Sequence, residues 1–388
     1  DFLKEESDFW VYNQRIVLDE NYEAGDAYIS SEKYETMIGF HVYEDDILIT
    51  TRGTIGKISR IPHIHKPGIL HPCIIRFRID DSLYDYRLLK LIFNQSDFVT
   101  EQILYKSNAT TIEVIYSDTL KNVILPVWDM QTQRKIADFL DTKCSEIDAL
   151  TADIQTQIDT LEQYKRSVIT ATVTKGLNPD VEMKDSGIEW IGEIPVTWDI
   201  IRGKYLLKYL QKPVKEDDGV ITCFRDGEVT LRSNRREDGF TMSDKEIGYQ
   251  GIDAGDLVVH GMDGFAGAIG ISDSRGKASP VLNVMDTKQN KRYIMYYLRS
   301  MAYSDVFVAL ATGIRVRSCD LRWNKLADLS YPVPSIEEQT AIVEYIDTTL
   351  EKTDVVISKK KAQLETLDEY KKSLIYEYVT GKKEVPSI

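Results

Sequence analysis

Apolar residues recur about every seventh position in two long stretches of the sequence, separated by positions rich in Lys, Glu, Asp and Gln. In the first stretch the repeating positions are Leu140, Ile147, Ile154, Leu161 and Val168, and the stripe is broadened by Leu150, Ile158 and Tyr164. In the second stretch they are Ile346, Leu350, Ile357, Leu364, Leu367 and Leu374. A heptad repeat of this kind predicts long helices whose apolar stripes form a coiled-coil seam.

The two stretches are copies of each other at a fixed offset, since residues 126–176 align without gaps to residues 332–382. The identical pairs include Pro126/Pro332, Gln133/Gln339, Asp141/Asp347, Asp148/Asp354, Tyr164/Tyr370 and Lys165/Lys371. Ser335 and Glu338 form a capping box at the predicted start of the second helix. Asp129 is the candidate cap of the first, where Thr132 in the fourth position leaves the box incomplete. We expect the two helices to pack against each other. The alternative is two unrelated amphipathic helices on separate cores.

The segments that precede the helices also share a pattern. Residues 45–61 and 255–272 each contain an Asp, a short apolar run, a Gly-containing loop and a second short strand. The predicted organisation is a first domain at 1–125, a helix at 126–176, a linker at 177–198, a second domain at 199–331 and a second helix at 332–388. The fold class is therefore α+β, with two mixed α/β domains alternating with two long helices that pair as an antiparallel coiled coil, pseudo-two-fold.

Composition and charge exclude some classes of protein. The 388 residues carry a net charge of −14, which disfavours nucleic-acid binding unless basic residues gather locally. The acidic residues concentrate in the linker and along both helices. No apolar run approaches the roughly 20 residues that span a bilayer, and the four cysteines form no CxxC pair. We therefore expect a cytoplasmic protein without a membrane partner.

Two short motifs suggest a metal site or catalysis. His63, His65, His71 and Cys73 are residue types that bind zinc, but their spacing is arbitrary, so we prefer a turn beside DNA or a structural loop. Residues 179–184 (PDVEMK) imitate a nuclease signature, but one residue alone separates the two carboxylates. The sequence contains neither an Asn/Asp-Pro-Pro-aromatic methyltransferase motif nor a Gly-rich cofactor loop. We predict no metal site and no catalytic residue in this chain.

Basic and amide side chains cluster in loops of both globular segments, and such side chains contact DNA phosphates and base edges. In the first segment the candidates are Arg52, Lys57, Arg60, Lys66, Lys106 and Asn108. In the second segment they are Arg225, Arg232, Arg235, Arg236, Arg315 and Arg317. Each one alone could be an ordinary solvated surface residue, so the prediction rests on the clusters.

The order of segments resembles the specificity subunit of type I restriction–modification enzymes over nearly the whole chain. The most specific stretches are PVPSIEEQTAIVEYID from position 332, KDSGIEWIGEIPVTWDI from 184, GDLVV from 255, DGFAGAIGI from 263 and ATGIRVRS from 311. The first helix start, PVWDMQTQ from position 126, is a looser match. No equivalent of the Pro195-to-Trp198 motif precedes Asp1, so we expect the natural chain to begin further upstream.

The resemblance implies a non-catalytic DNA-binding subunit. Each globular segment would read one half of a bipartite, asymmetric double-stranded DNA target, and the helices would set the spacer length and dock two methyltransferase subunits. It also implies that S-adenosylmethionine binds in those partners, with no cofactor in this chain, and that restriction or translocase subunits join the complex. Two rivals remain open, a coiled-coil interaction scaffold without sequence readout and a catalytic nuclease or methyltransferase.

Overall fold

A computed structural model describes residues 2–3, 5–23, 25–107, 114–235, 247–310 and 321–386, without the side chains of residues 106 and 107. The chain forms two compact units, one of Asp1–Gln155 with Lys361–Ile388 and the other of Thr156–Lys360. The limits of the units thus fall inside the two long helices. Among the described residues, no helix combines the length and the apolar character that crossing a membrane requires.

Short helices accompany the strands, and two helices are much longer than the rest. The helices are α1 (Gln14–Asp19), α2 (Ser31–Thr36), α3 (Tyr86–Asn94), α4 (Phe98–Ser107), α5 (Ser117–Lys121), α6 (Met130–Lys175), α7 (Gly203–Leu206), α8 (Lys291–Tyr303), α9 (Val306–Ala309), α10 (Trp323–Asp328) and α11 (Ile336–Val379). Short 3₁₀ turns cover Ile38–Phe40, Arg232–Asn234 and Gly264–Ala266.

The strands are short and form several small sheets. The first unit contains β1 (Phe9–Tyr12), β2 (Tyr28–Ile29), β3 (Ile47–Thr50), β4 (Ile58–Arg60), β5 (Gly68–Leu70) and β6 (Ile74–Phe77). The second contains β7 (Met183–Asp185), β8 (Glu193–Pro195), β9 (Asp199–Arg202), β10 (Leu207–Tyr209), β11 (Ile221–Cys223), β12 (Val229–Leu231), β13 (Gln250–Ile252), β14 (Leu257–His260), β15 (Ile269–Ile271), β16 (Gly276–Ala278), β17 (Leu282–Thr287) and β18 (Ser330–Val333).

One sheet plan occurs in both units. In the first unit the order is β4-β3-β6, and in the second β15-β14-β17 with β10 added beyond β17. β3 and β14 occupy the central position of that plan, and each forms an antiparallel hairpin with the next strand of the chain. Each third strand, β6 or β17, leads into the helix α3 or α8. The remaining sheets are β2-β1-β5 in the first unit and β11-β12, β13-β16, β18-β9 and β7-β8 in the second.

The long helices begin where the sequence places caps, but later than the predicted segments. The Asp129 carboxylate accepts the backbone N–H groups of Gln131 and Thr132, both at 3.0 Å. The Ser335 hydroxyl accepts the N–H of Glu338 at 3.2 Å. α6 therefore starts at Met130 and α11 at Ile336, because the Pro-Val residues ahead of each cap are not helical.

The two long helices pair in an antiparallel manner, which confirms the predicted fold class. In the first unit Lys371 Nζ donates to the Asp148 carboxylate at 2.7 Å. In the second unit Lys165 Nζ donates to Asp354 at 2.6 Å. These two ion pairs join the same duplicated positions, so the pairing of the second unit repeats that of the first.

The predicted seam lies on the inner faces of the helices. Seven of its residues are buried, namely Leu140, Ile147, Ile154, Val168, Ile346, Ile357 and Leu374. The others, Leu161, Leu350, Leu364 and Leu367, are half-buried. Ile158 is buried as well, whereas Leu150 and Tyr164 are 47% and 48% exposed, so the stripe is narrower than predicted. A pair of helices covers one face of each partner, and these two side chains lie beyond that face.

Residues 177–198 form structure of their own, although the sequence predicts a linker. β7 and β8 make an antiparallel hairpin there. Ile191, Ile194 and Trp198 enter the main core of the second unit, and Trp198 is fully buried. The apolar patch at the end of this segment therefore belongs to the second domain.

Candidate nucleic-acid interface

The tip of the β3–β4 hairpin carries the exposed Arg52. Gly53 and Gly56 follow it with φ angles of 66° and 78°, in the left-handed region that glycine adopts at low cost. The N–H of Lys57 donates to Thr50 Oγ1 at 3.1 Å and closes the loop. The hairpin therefore holds Arg52 at a solvent-exposed turn, as a DNA contact requires.

Lys57 turns inward and is not available to a phosphate in this arrangement. Its Nζ donates to the backbone carbonyl of Asn94 at 2.5 Å. Burial lowers the pKa of this ammonium, with Asp97 acting in the opposite sense. The sequence cannot reveal this role, because Asn94 belongs to α3 and meets Lys57 only in the folded chain.

Two further candidates of the first domain are engaged in ion pairs. Arg60 Nη2 donates to Asp81 at 2.7 Å, and its guanidinium lies 4.8 Å from the ring centroid of Tyr86. Lys66 Nζ donates to Glu6 at 2.8 Å, and this hydrogen bond raises the pKa of the lysine. Lys106 lies in α4, but its side chain and the whole of Asn108 fall outside the described residues.

The β11–β12 hairpin of the second unit gathers three of the predicted arginines. Arg225 Nη2 donates to Asp263 at 2.8 Å. Arg235 donates to Asp226 at 2.7 Å and lies 4.2 Å from the ring of Phe224. Arg232, in the turn that follows β12, donates to Thr222 Oγ1 at 3.3 Å. Arg236, Arg315 and Arg317 lie outside the described residues.

The β14–β15 tip, with Met262 and Asp263, corresponds to the Arg52 tip of the first domain. His260 Nδ1 accepts the N–H groups of Met262 and Asp263 at 3.2 and 2.9 Å. Burial lowers the pKa of His260, so the neutral ring that accepts these bonds is favoured. Because Asp263 in turn holds Arg225, the tip and the β11–β12 hairpin form one charged surface.

Arg76 of β6 and Arg78, which directly follows that strand, were not predicted from the sequence. Both guanidinium groups bond to the buried carboxylate of Asp46, at 3.1 and 2.7 Å. They also lie 5.2 and 6.0 Å from the ring of Tyr43. The alternation of residues 74–80 (IIRFRID) could have indicated that the two arginines lie together, since residues two apart in an extended segment share one face.

The histidine-rich turn does not assemble a metal site within the part of the chain that the structure describes, where no group of three or more potential ligands occurs. His71 Nδ1 and Cys73 Sγ are 2.7 Å apart. The ring of His65 instead lies 5.4 Å from that of Trp10. In the PDVEMK segment, Lys184 donates to the carbonyl of Val196 at 2.9 Å, a bond that supports the β7–β8 hairpin.

Comparison with known proteins gives consistent matches. Residues 2–160 match the family model of the type I restriction modification DNA specificity domain. The chain is 25% identical to the type I restriction enzyme MjaVIII specificity subunit of Methanocaldococcus jannaschii, covering 96% of this chain and 89% of that protein. It is 22% identical to the EcoBI specificity subunit of Escherichia coli, covering 89% of this chain and 75% of that protein.

A solved structure shares the fold. It comes from a study of complex assembly and conformational transition of the type I R-M system, and it superposes with a TM-score of 0.64 at 13% identity. The match covers 87% of this chain and 82% of that one. The duplicated helices and the repeated sheet order agree with these matches, and over most of its length the chain is similar to the DNA specificity subunits of type I restriction–modification enzymes.

Proposed function

We propose that the chain reads a bipartite, asymmetric double-stranded DNA target, with one globular domain for each half-site. The observation that carries the proposal is a repeated scaffold with unlike tips. The sheets β4-β3-β6 and β15-β14-β17 have the same order. The hairpin tips differ, reading TRGTIG at positions 51–56 and GMDGFAG at 261–267. One scaffold with two different sets of exposed side chains suits two different half-sites.

The exposed cations would supply the contacts to phosphates and bases. Arg52 in the first domain and Arg225 in the second lie at the hairpin surfaces described above. Arginine is suited to guanine because its planar group donates two parallel hydrogen bonds to O6 and N7. The carboxylate of Asp263 would hold Arg225 in a fixed direction before DNA binds, which lowers the entropic cost of recognition.

The long helices would act as the ruler between the half-sites. α6 has 46 residues. A helix of that length spans about 69 Å, the length of about 20 base pairs at roughly 3.4 Å each. Linking two weak readers through such a spacer raises the effective concentration of the second reader once the first has bound.

The helix pair would also dock two methyltransferase subunits. Leu150 and Tyr370, 47% and 54% exposed, lie two and one positions along the chain from Asp148 and Lys371 in the first unit. Val356 and Tyr164, 42% and 48% exposed, stand in the same relation to Asp354 and Lys165 in the second. Each unit thus exposes one tyrosine and one aliphatic residue at duplicated positions, which suits two copies of one partner.

Methyl transfer would belong to those partners. We expect S-adenosylmethionine to bind to the methyltransferase subunits and this chain to contribute target choice without a cofactor of its own. Restriction or translocase subunits are a further expected partner. Methyl transfer by the isolated chain would contradict this division of roles.

A domain exchange tests the half-site assignment. Residues 199–325 are replaced by the corresponding segment of another specificity subunit, and the methylated sites of the assembled complex are sequenced. We expect one half-site to change while the other stays the same. A change in both half-sites would show that the domains do not read independently.

Salt dependence separates DNA reading from the alternative of an interaction scaffold. Contacts to several phosphates make DNA affinity fall steeply as salt rises, because bound counterions are released. We therefore expect a strongly negative slope of log affinity against log salt, and a preference for the target over unrelated DNA. Affinity that is insensitive to both salt and sequence would support the scaffold.

A further inference from the structure

We propose that Gln133 and Gln339 are positioning residues that fix the direction in which each recognition domain leaves its spacer helix. The two glutamines occupy duplicated positions one turn inside α6 and α11, and both side chains are fully buried. The inference rests on the proposed function, because it concerns how accurately the two half-sites are spaced.

Gln133 joins its helix to the recognition domain through hydrogen bonds at both ends of the amide. Oε1 accepts the N–H of Asp85 at 2.9 Å. Nε2 donates to the carbonyls of Leu83 and Trp128, both at 2.8 Å. Asp85 is the N-cap of α3, the helix that follows the β4-β3-β6 sheet. The amide thus connects the start of α6 to the start of a domain helix.

Gln339 makes the same connection in the second unit. Its Oε1 accepts the N–H of Asn290, the N-cap of α8, at 2.9 Å. Its Nε2 donates to Gln289 Oε1 at 2.7 Å and to the carbonyl of Pro334 at 2.9 Å. The identical residues at positions 133 and 339 therefore make an equivalent joint between spacer helix and domain helix, in which the bonds to the N-cap and to Trp128 or Pro334 correspond and the third partner differs.

A second bond reinforces each joint from outside. Arg87, two residues after the first N-cap, donates to Asp138 at 2.7 Å. Arg292, two residues after the second N-cap, donates to Asp347 at 2.6 Å. The side chains of Asp138 and Asp347 are 66% and 30% exposed, so replacing the arginines leaves neither carboxylate fully buried.

Directional bonds matter here because much of the remaining contact is apolar. Ile136, Ala137 and Leu140 of α6 pack in one core with Leu88, Leu89 and other residues of α3. Apolar packing stabilises the contact but is non-directional, so it permits small rotations. Hydrogen bonds depend steeply on angle and allow far fewer orientations. A small rotation at this joint would move the DNA-facing hairpins and change the spacing that the domain accepts.

The test uses Gln133→Met and Gln339→Met in the full complex with the methyltransferase partner. DNA sites keep both half-sites constant and vary the spacer by one base pair in each direction, and the methylation rate is measured for each. We expect methylation of the neighbouring spacers to rise about fivefold relative to the preferred one, the factor expected when roughly one hydrogen bond of discrimination is lost. The half-site sequences should remain unchanged.

Control variants separate positioning from folding. Gln131→Met alters an exposed glutamine on the same helix turn and should leave spacer preference unchanged. Arg87→Met and Arg292→Met remove only the outer bonds and should shift spacer preference in the same direction, by less. Folded variants at both glutamines with the wild-type spacer preference would overturn the inference, as would unfolded glutamine variants combined with unchanged arginine variants. A wild-type complex that ignored spacer length would instead contradict the proposed function itself.

Discussion

At the residue scale, two buried aspartates hold the corresponding sheets together. Asp46, just before β3, accepts the N–H of Tyr43 at 2.8 Å and the guanidinium groups of Arg76 and Arg78. Asp256, just before β14, accepts the N–H of Asp253 at 2.8 Å and the ammonium of Lys212 at 2.6 Å. Each carboxylate therefore closes a turn and binds a cation from another segment of its own unit.

Replacing Asp46 should destabilise the chain. In Asp46→Asn the charge is removed, and the two arginines lose a buried ionic partner. Because these arginines are partly exposed, we expect a loss of about 2 kcal/mol in the free energy of unfolding, below the cost of breaking a fully buried pair. Urea denaturation measures this change. Asp45→Asn, at the exposed neighbouring position, is the matched control, and an equal loss in both variants would contradict the assigned role.

His260 should make stability depend on pH. Its neutral ring accepts hydrogen bonds from two backbone N–H groups, and burial lowers its pKa. Of the charged groups that face it, Asp263 raises this pKa and Arg225 lowers it. A lowered folded pKa means that the unfolded chain binds the proton more readily, so the contribution is present above about pH 6.5 and is lost as pH falls through the folded pKa.

The comparison variant is His260→Asn, whose side-chain oxygen can accept the same bonds without titrating. Unfolding free energies are measured for both proteins from about pH 7.5 to about pH 5, across the ordinary histidine range. We expect the wild type to lose more stability than the variant toward acid. If the unfolding free energies of the two proteins fell in parallel toward acid pH, protonation of His260 would not contribute to the loss of stability.

The sequence located the basic regions but not the role of each cation. Lys57, Arg60 and Lys66 meet partners 37, 21 and 60 residues away in the chain. Such pairings depend on how strands and helices pack, and a single sequence contains no record of them. The charge clusters follow from local composition and could therefore be predicted, whereas the DNA-contact assignment of every residue remains a prediction.

At the element scale, the long helices were the most predictable part of the fold. A heptad repeat can be recognised from local sequence alone. Because it occurs twice in this chain, it predicted both helices and their pairing. Their starts were placed too early by four residues, at 126 and 332 against Met130 and Ile336. Proline favours extended backbone before it, and Pro332 pairs in β18 with Ile200 of β9.

A matched pair of insertions tests whether the long helices set the spacer length. One heptad is inserted after Ile154 in α6 and another after Leu364 in α11, so that the antiparallel seam keeps its periodicity. The helices lengthen by about 10 Å, and we expect the preferred spacer to grow by about three base pairs with both half-sites unchanged. Methylation of a spacer series measures the shift.

Heptad insertion into α6 alone is the control, since it breaks the pairing of the seam and should reduce stability. An unchanged spacer in the folded double-insertion variant would show that the helices do not set the distance between half-sites.

At the scale of the whole molecule, duplication determines the organisation, and unlike domains provide the asymmetry. The repeated helix start, the buried glutamine and the inter-helix ion pair recur at equivalent positions in both units. The order of domains and helices could be predicted because these repeats mark where each helix begins. The bases that are read could not, because they depend on the geometry of the hairpin tips against DNA.

Bipartite recognition is tested most directly by assembling the chain with the methyltransferase subunits that we propose as its partners and sequencing the methylated sites. We expect two unlike half-sites separated by a spacer of constant length and variable sequence. A single continuous recognition sequence, two identical half-sites or a spacer of variable length would contradict it.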